Sequence, residues 1–294
     1  MTEDKELLKP AAVGSTGELA KAAQMVVVAY GAGTNGTGML VGLHERGRVP
    51  DAIVFADTGS EKPNTYQHIA EVSEWCRQIG FPEVQTIRGR QPMMMKDGSL
   101  EAECLRLGAL PAKAHGFSTC SLKWKVEPQR KHYATLVAER GLTLADLVVL
   151  IGFDADEQSR VDRGRAAWKA GDYSQEFPLF DWGWTREDCV TAIARAGLPQ
   201  PGKSACYFCP STKKPELLEL REQYPELVAL ALEMERRALA GDGKAEAFQG
   251  AGLGRSWNWA KFLREWDATE ESERDFLKRQ LDMFSPEQCD ACIG

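Results

Sequence analysis

The sequence predicts an α/β protein with a parallel sheet covered by helices on both faces, followed by a smaller helical region that carries cysteines. Short apolar runs alternate with longer stretches of helical periodicity, and the order strand, turn, helix occurs twice in the first third of the chain. A glycine-rich turn ends the first apolar run, and acidic or small residues end later ones, as at the carboxyl ends of strands in open parallel sheets. These observations imply right-handed strand–helix–strand units.

Each element has its own local signal. The run MVVVAY, residues 25–30, predicts a strand, and the residues after the glycine turn predict an amphipathic helix. DAIVFADTG, residues 51–59, predicts a second strand, and the long helical pattern after it closes at Gly80. We expect a third strand in EVQTIRG, residues 83–89, and another in LVVLI, residues 147–151. Four strands in this order are enough to define the class.

The chain divides into three predicted segments. Residues 1–24 form a leader with a first helix, residues 25–198 form the α/β domain, and residues 199–294 form a cysteine-bearing loop, a helical region and a cysteine tail. In the last segment, residues 255–266 place aromatic side chains on one face of a predicted helix, which favours packing in a core.

Composition excludes several classes of protein. At 294 residues, 43% hydrophobic and 27% charged, the chain can bury one large core or two modest ones. The N-terminus is charged and lacks the apolar centre of a secretory signal, and no run reaches the roughly 18 to 20 apolar residues of a membrane span. We therefore expect a cytoplasmic protein without a membrane partner. The net charge of −7 argues against wholesale wrapping of nucleic acid but is compatible with a local basic groove.

The glycine-rich turn YGAGTNGTGML, residues 30–40, indicates a phosphate ligand. It lacks the lysine of a Walker loop, and it matches the dinucleotide pattern GxGxxG from Gly31 to Gly36. Backbone amides at a helix N-terminus attract phosphate through hydrogen bonds and the helix dipole. Asp57 lies 21 positions beyond Gly36, where a dinucleotide site has an acidic residue. The alternative is a tight strand-to-helix turn without a ligand.

Five motifs together resemble one family. The glycine turn resembles the PP-loop of the adenine nucleotide alpha hydrolase superfamily, whose pattern is close to SGGxDS; in its phosphoadenylylsulfate (PAPS) reductase-like branch, Asn often replaces the Asp. FADTGSEKPNTY (55–66), TCSLKWKVEPQ (119–129), GFDADEQSR (152–160) and KSACYFCP (203–210) resemble further motifs of that branch in the same order. The resemblance implies that residues 25–198 form a PP-loop nucleotide-binding domain.

The resemblance implies an adenine nucleotide, ATP or a sulfonucleotide, on the glycine turn. Asn35 can donate an amide hydrogen bond where Asp would accept one or bind Mg²⁺, and Gly36 stands where the family has a serine. Loss of that hydroxyl removes a phosphate contact worth on the order of 1–3 kcal/mol. Either the turn is catalytically weak, or Thr37 supplies the hydroxyl, or the residue has been changed. The implied phosphate-binding residues are Tyr30, Gly31, Ala32, Gly33, Thr34, Asn35, Gly36 and Thr37.

Residues in the other motifs complete the implied site. Asp57, with Thr58 beside it, is a partner for an adenosine ribose or a metal, and the alternative is a turn cap without a ligand. After Gly152, Asp156 and Glu157 can hold Mg²⁺ that bridges the phosphates. The cations Lys123, Lys125 and Arg160 would neutralise phosphates. The alternative is that each is a solvated surface residue without a role. The implied catalytic groups are Asn35, Thr37, Lys123, Lys125, Arg160 and Cys292.

Eight cysteines in a reducing compartment favour metal binding or catalysis over disulfides. Two CxxC pairs, Cys206 with Cys209 and Cys289 with Cys292, are separated by 79 residues, much more than in zinc ribbons, and zinc is kept as an alternative. The resemblance implies a [4Fe-4S] cluster, with Cys292 left as a mobile nucleophile or sulfur carrier. Its implied ligands are Cys120, Cys206 and Cys209 with one tail cysteine, Cys289 or, as the alternative, Cys292. The remaining thiols, predicted to be buried and structural, are Cys76, Cys104 and Cys189.

Two chemistries compete within this branch. In one, ATP adenylates a substrate oxygen with loss of pyrophosphate and sulfur then displaces AMP; the implied partners are a sulfur-donor protein and an acceptor, which is tRNA, DNA or a small metabolite. In the other, a cysteine attacks the sulfur of PAPS or adenylylsulfate, and sulfite is released. The reductases carry a C-terminal ECG followed by a His, which the tail CDACIG lacks, and this favours ATP-dependent sulfur transfer. A third hypothesis is a nucleotide-binding sensor without turnover.

Overall fold

The computed structural model describes residues 24–89, 98–117, 119–167, 169, 171–243, 245–270, 273–274 and 277. The predicted leader helix and both tail cysteines, Cys289 and Cys292, lie outside these residues. In the part of the chain that is described, no helix combines the length and the apolar character that crossing a membrane requires.

Strands and helices alternate through the first two thirds of the chain. The strands are β1 (Met25–Tyr30), β2 (Ala52–Asp57), β3 (Val84–Arg88), β4 (Leu147–Ile151) and β5 (Ser174–Glu176). The α-helices are α1 (Thr34–Glu45), α2 (Pro63–Gln78), α3 (Leu100–Leu107), α4 (Thr119–Ser121), α5 (Glu127–Glu139), α6 (Gln158–Ala166), α7 (Pro178–Asp181), α8 (Arg186–Arg195), α9 (Lys214–Gln223), α10 (Pro225–Ala240) and α11 (Trp259–Ala268). A π-helix, Leu122–Val126, joins α4 to α5.

The five strands form one parallel sheet in the order β3-β2-β1-β4-β5, which confirms the predicted fold class. The chain adds β2 and β3 on one side of β1 and then crosses to add β4 and β5 on the other. Ala29 of β1 is paired with Ile151 of β4, so the carboxyl ends of these two strands lie side by side. This is the topological switch point of the sheet, where open parallel sheets bind ligands.

Helices cover both faces of the sheet because alternate strand residues point to opposite sides. On one face Val28 and Tyr30 of β1 pack with residues of α1, α2 and α8. On the other face Met25 and Val27 pack with residues of α5. The sheet is therefore buried on both sides, as expected for a parallel sheet.

A further core lies among α3, α9, α10 and α11 and includes Tyr207 and Phe208 of the cysteine loop. The helix predicted at residues 255–266 begins later, because Asn258 caps it by accepting the Lys261 amide at 2.6 Å. Trp259 and Trp266 are buried on it, as the spacing of the aromatic residues predicts. Residues 255–257 instead belong to an irregular segment before the helix.

Candidate functional site

The turn between β1 and α1, residues 31–33, ends at Gly33, the N-cap of α1. No side chain of the described residues caps this helix, so the amides of its first turn are left for a ligand or solvent. Ala32 has a φ of 55°, in the left-handed region, and is buried, which fixes a sharp change of direction after β1. The turn thus presents the partial positive charge of a helix N-terminus at the switch point.

Thr37 lies in the first turn of α1 with its hydroxyl inside the protein. Its Oγ1 is 3.0 Å from the Tyr30 hydroxyl and 2.9 Å from His68 Nε2. Burial raises the pKa of the Tyr30 phenol and lowers the pKa of the His68 imidazole. The hydroxyl that the sequence offered as a replacement for the family's serine is therefore engaged by two core side chains.

Gly36 lets the turn close on itself. A Cβ at this position would lie 3.3 Å from the amide nitrogen of Gly31 and 3.3 Å from the ring of Tyr30. Both distances are shorter than ordinary van der Waals contact, so a side chain at position 36 would require the turn to shift by a few tenths of an ångström. The absence of a serine is thus coupled to a closer packing of the backbone.

Asn35 is held by two carboxylates that follow β4. Its Nδ2 donates to Asp154 Oδ2 at 2.7 Å and to Glu157 Oε2 at 3.4 Å. Gly152 permits this approach, because a Cβ there would lie 3.2 Å from the carbonyl oxygen of Asn35. The other amide atom, Asn35 Oδ1, is buried and has no hydrogen-bond partner among the described residues. The carboxylates fix the orientation of the amide and leave its acceptor atom for a ligand.

Asp154 is the residue of this cluster that the sequence interpretation missed. It is buried, and it accepts the Asp156 amide at 3.1 Å in addition to the Asn35 amide. The side chain of Asp156, the predicted Mg²⁺ ligand, is exposed, whereas Glu157 lies at Asn35. The only signal in the sequence was that Asp154 follows the end of a strand, and two other acidic residues share that position.

Arg160 is the cation closest to this cluster in sequence and in space. Its guanidinium pairs with Glu157 and lies 4.0 Å from the centre of the Phe153 ring, which in turn stacks on Phe177. Its Nε is buried and has no hydrogen-bond partner among the described residues. Arg160 is therefore a braced cation with one donor unused, next to an amide with one acceptor unused.

Asp57, at the end of β2, has protein partners for both oxygens. Oδ1 accepts the Gly59 amide at 2.7 Å and the Tyr66 hydroxyl at 2.8 Å, and Oδ2 accepts Arg88 Nε at 2.7 Å. Its side chain is 1% exposed. The structure thus shows the turn-cap arrangement that the sequence left as the alternative to a ribose or metal ligand.

The cysteine loop, residues 203–210, lies across the ends of β1 and β2. A Cβ on Gly33 would be 3.8 Å from Ser204 Cβ, so the loop contacts the glycine turn. Cys206 forms an antiparallel bridge with Glu61, and the Tyr207 amide donates to the Ser60 carbonyl at 3.1 Å. The glycine turn, the end of β2 and the CxxC motif are therefore close together in the fold.

Cys206 lies in a polar environment that disfavours its thiolate. Its Sγ is 3.2 Å from Thr58 Oγ1, which also approaches Glu61 Oε1 at 3.4 Å, and Lys125 Nζ lies 3.1 Å from the same Glu61 oxygen. Burial and the Glu61 carboxylate raise the pKa of the Cys206 thiol well above its usual range, against the opposing effect of Lys125 and the Thr58 hydroxyl. Thr58 and Lys125, predicted nucleotide ligands, are thus engaged at this thiol and its neighbouring carboxylate.

Cys120 and Lys123 line a different cavity, of about 640 Å³, between α3 and the helical stretch that includes α4. Cys104 lines the same cavity, and Lys123 pairs there with Glu103. Cys206 and Cys209 do not line it among the described residues. The structure therefore places Cys120 in a cavity that the CxxC cysteines do not line, although Cys120 and Cys206 both pack against the core formed by α3, α9, α10 and α11.

The described thiols do not form the predicted cluster by themselves. No group of three or more His, Cys, Asp or Glu side chains in the described ranges is arranged to hold a metal ion. The CxxC turn itself is tight, since the Cys209 amide donates to the Cys206 carbonyl at 2.9 Å. The fourth implied ligand, Cys289, lies outside the described residues. The cluster and the zinc alternative thus stay predictions, and no step below passes through them.

The three thiols that were predicted to be structural are confirmed as buried. Burial raises the pKa of each to about 12, so they remain protonated at neutral pH. Cys189 packs against Gly38 of α1, where any Cβ would overlap it. These buried residues are Cys76, Cys104 and Cys189.

Comparison with known proteins finds a similarity of structure. No protein-family model matches the sequence, and no curated protein matches it. Among solved structures, the chain is similar to the U34-tRNA thiolase NcsA from Methanococcus maripaludis, which was solved with its [4Fe-4S] cluster. The two sequences are 15% identical, the match covers 73% of this chain and 72% of that chain, and the TM-score is 0.40.

Proposed function

We propose that this protein is an enzyme that binds ATP at the switch point between β1 and β4 and adenylates a substrate oxygen for sulfur transfer. One observation carries the proposal: an uncapped helix N-terminus lies beside an oriented amide and a braced cation that each keep one buried polar atom unpaired, Asn35 Oδ1 and Arg160 Nε. Buried polar groups without partners are rare, and a ligand is the simplest group to satisfy them. The five motif resemblances supply the nucleotide class.

In the proposed reaction the amides of residues 31–34 bind the pyrophosphate part of ATP. A substrate oxygen attacks the α-phosphorus, the bond to the bridging oxygen breaks, and pyrophosphate leaves with that electron pair. A sulfur nucleophile then displaces AMP from the activated carbon. Asn35 positions the phosphates through Oδ1, and Arg160 offsets the charge that develops on pyrophosphate. Mg²⁺ would supply further charge neutralisation, and Asp154 and Glu157 are better placed than Asp156 to hold it.

The cysteine loop supplies the connection to sulfur. Ser204 contacts the glycine turn, and Cys206 follows two residues later, so a thiol lies beside the proposed nucleotide site. Glu61 is the nearest carboxylate to this thiol, through Thr58, and its Oε2 has no hydrogen-bond partner among the described residues. Glu61 is thus connected to the thiol through the Thr58 hydroxyl, and its charge favours the protonated form of Cys206.

The proposal is tested by following pyrophosphate and AMP release from ATP in the full chain, with Asn35→Ala beside the wild type. Gln67→Ala is the matched control, because Gln67 is also a helical amide bound to a carboxylate, Glu71, but is exposed. We expect Asn35→Ala to lower the rate about ten-fold or more and Gln67→Ala to leave it unchanged. ATP binding without pyrophosphate release would favour the sensor hypothesis, and sulfite release from PAPS would favour the reductase.

The metal is tested separately, by anaerobic purification with iron, zinc and acid-labile sulfide assayed on one sample. About four irons and four sulfides per chain, lost in Cys206→Ser, would establish a [4Fe-4S] cluster at the CxxC loop. Zinc without sulfide would make these cysteines a structural site. If neither metal is found, Cys206 is a free thiol, in agreement with its polar surroundings in the described residues.

A further inference from the structure

A second cavity, of about 530 Å³, opens on the far side of the cysteine loop. Lys203, Lys213 and Arg255 line it, and no carboxylate is found among the described residues of its lining. The chain as a whole has a net charge of −7, whereas this concave surface carries three cations, of which Lys203 is paired with Glu216. Such a surface attracts an anion from solution.

Arg255 is held in an unusual backbone conformation at the rim of this cavity. Its φ is 67°, in the left-handed region that non-glycine residues rarely adopt, and its side chain is exposed. An L-residue in this region is strained, and such residues concentrate at ligand sites. No hydrogen bond or ion pair connects its guanidinium to another described residue.

Trp257 adds an aromatic surface to the same cavity. Its indole packs directly on the backbone of Gly254, where a Cβ would overlap the ring, and it stacks on Trp259 with 6.2 Å between ring centres. Lys214 Nζ lies 5.9 Å from the centre of the Trp257 ring and continues the basic region onto α9. The indole is therefore fixed in position by its neighbours while part of it remains exposed.

The polar groups of the cavity are only partly satisfied. Ser211 Oγ is buried and has no hydrogen-bond partner within the described residues. Lys203 donates to the Ser211 carbonyl at 3.2 Å and pairs with Glu216, so it is fixed at the floor of the cavity. A ligand that accepts hydrogen bonds, as a phosphate does, would satisfy Ser211.

The cavity and the glycine turn share one loop. Ser204 contacts Gly33 on one side, and residues 210–213 line the cavity on the other, with Cys206 and Cys209 between them. A ligand in the cavity would therefore contact the loop that carries both thiols, on the side away from the proposed nucleotide. Because cations and an aromatic ring are spread over an open groove, the surface fits an extended polyanion with planar rings better than a single phosphate.

We propose that this groove binds single-stranded nucleic acid, with phosphates on Arg255 and Lys213 and a base against Trp257. The role of this groove as the place where an acceptor meets the cysteine loop rests on the proposed function. The binding of nucleic acid by the groove does not depend on that function. The binding is electrostatic and stacking in character, so it depends strongly on salt and weakly on sequence.

The test is fluorescence anisotropy with a labelled single-stranded RNA of about 15 nucleotides and the DNA of the same sequence, without ATP, over a series of salt concentrations. Arg255→Asn removes the charge but tolerates a positive φ, and we expect it to weaken binding several-fold and to reduce the salt slope by about one. We expect Trp257→Ala to weaken binding about ten-fold with little change in the slope. Arg163→Gln, an exposed arginine on α6, is the matched control and should change neither.

Gly254→Ala gives an independent reading, because it displaces the indole without changing the charge. Thermal denaturation of every variant, followed by circular dichroism, shows which ones are folded, and only those are compared. The proposal is overturned if the folded Arg255→Asn and Trp257→Ala proteins bind both strands like the wild type, or if inorganic pyrophosphate displaces the strand as well as an unlabelled strand does. Weaker binding of RNA alone, or of DNA alone, would identify which nucleic acid is the ligand.

The same variants separate this inference from the proposed function. ATP binding, measured with a fluorescent ATP analogue, should be unchanged in Arg255→Asn and Trp257→Ala, because neither residue touches the glycine turn. Loss of strand binding with unchanged ATP binding, and with less pyrophosphate release than the wild type when the strand is present, would support both statements. Normal strand binding by a protein that never releases pyrophosphate would overturn only the enzymatic proposal.

Discussion

The ends of β1 and β2 are neighbouring sites built from similar parts, and they differ in how completely their polar groups are paired. At the end of β2, the buried carboxylate of Asp57 accepts three hydrogen bonds from protein donors. At the end of β1, Asn35 donates to Asp154 and Glu157, but its own oxygen accepts nothing from the described residues. Both positions belong to motifs that resemble nucleotide-binding segments, yet only the second has capacity left for a ligand.

This difference gives a criterion for distinguishing a structural polar cluster from a ligand-binding site. A buried group with all of its partners in the protein loses those bonds if a ligand replaces them, so it gains little by binding. A buried group with an unused acceptor or donor gains a hydrogen bond whose absence already costs free energy. By this criterion we expect Asp57 to stabilise the fold and Asn35 with Arg160 to contact a ligand.

The largest expected effect is on stability at the end of β2. We expect Asp57→Ala to lower the free energy of unfolding by about 2–4 kcal/mol, because it leaves the Gly59 amide and the Tyr66 hydroxyl without an acceptor. Urea denaturation measures this change. The affinity for ATP of the folded variant should stay within about two-fold of the wild type.

Asp51→Ala is the matched control for that experiment. Asp51 also accepts a backbone amide, from Val26 at 2.7 Å, but it is exposed at the other end of β2. We expect a loss of less than about 1 kcal/mol there, since water can replace the carboxylate. If Asp57→Ala were as stable as the wild type and had lost its ATP affinity, the end of β2 would be a ligand site and the comparison would fail.

The next effect sharpens the comparison at the end of β1. Asn35→Asp would replace the donor that faces Asp154 and Glu157 with a third carboxylate, and we expect it to lower the free energy of unfolding by about 1–2 kcal/mol at neutral pH. Protonation of one of the three carboxylates relieves their mutual repulsion, so the deficit should shrink as the pH falls. Millimolar Mn²⁺ should restore stability, which thermal denaturation with and without the metal detects.

Asn35→Ala separates repulsion from the simple loss of a hydrogen bond. This variant also loses the bond to Asp154, but it adds no charge, so its deficit should not respond to Mn²⁺. An Asn35→Asp protein that is indifferent to both pH and metal would mean that the carboxylates turn away from position 35 when the amide is absent.

A smaller effect is expected at Gly36. Gly36→Ser restores the hydroxyl that the family carries, but its Cβ would press on the Gly31 amide and the Tyr30 ring, and we expect a loss of about 1 kcal/mol in stability. Gly31→Ala is the matched control, because a Cβ there meets no atom within 4 Å. A rise in pyrophosphate release by orders of magnitude in Gly36→Ser would instead identify the turn as a disabled catalytic loop.

The sequence was sufficient wherever the signal is local. The strand at residues 147–151 and the turn after β1 follow from apolar runs and glycines close together in the chain, and both are present. The pairing of β1 with β4 is not local, so the sequence could not choose among the acidic residues after β4, and Asp154 was missed in favour of Asp156. The grouping of Cys120 with the CxxC loop is not local either and stays a prediction; Cys120 lines a cavity with Cys104, and the tail cysteines lie outside the described residues.

The smallest effect is a pH dependence that originates beneath the glycine turn. Burial lowers the pKa of His68, which faces Thr37, while Glu71 at 3.9 Å opposes that shift only in part. The unfolded chain therefore binds a proton at His68 at a higher pH than the folded protein does. The stability that neutral His68 contributes is complete above its ordinary pKa near 6.5, and it is lost as the pH falls from there to the pKa of the folded state. His68→Gln can keep a hydrogen bond to Thr37 without titrating, so the difference in unfolding free energy between wild type and variant should favour the wild type more at about pH 8 than at about pH 5.5. Urea denaturation at both pH values measures that difference. A constant difference between wild type and variant would mean that His68 is as accessible to protons in the folded protein as in the unfolded chain. The core beneath the glycine turn would then be open to solvent, whereas the comparison of the two strand ends requires it to be closed.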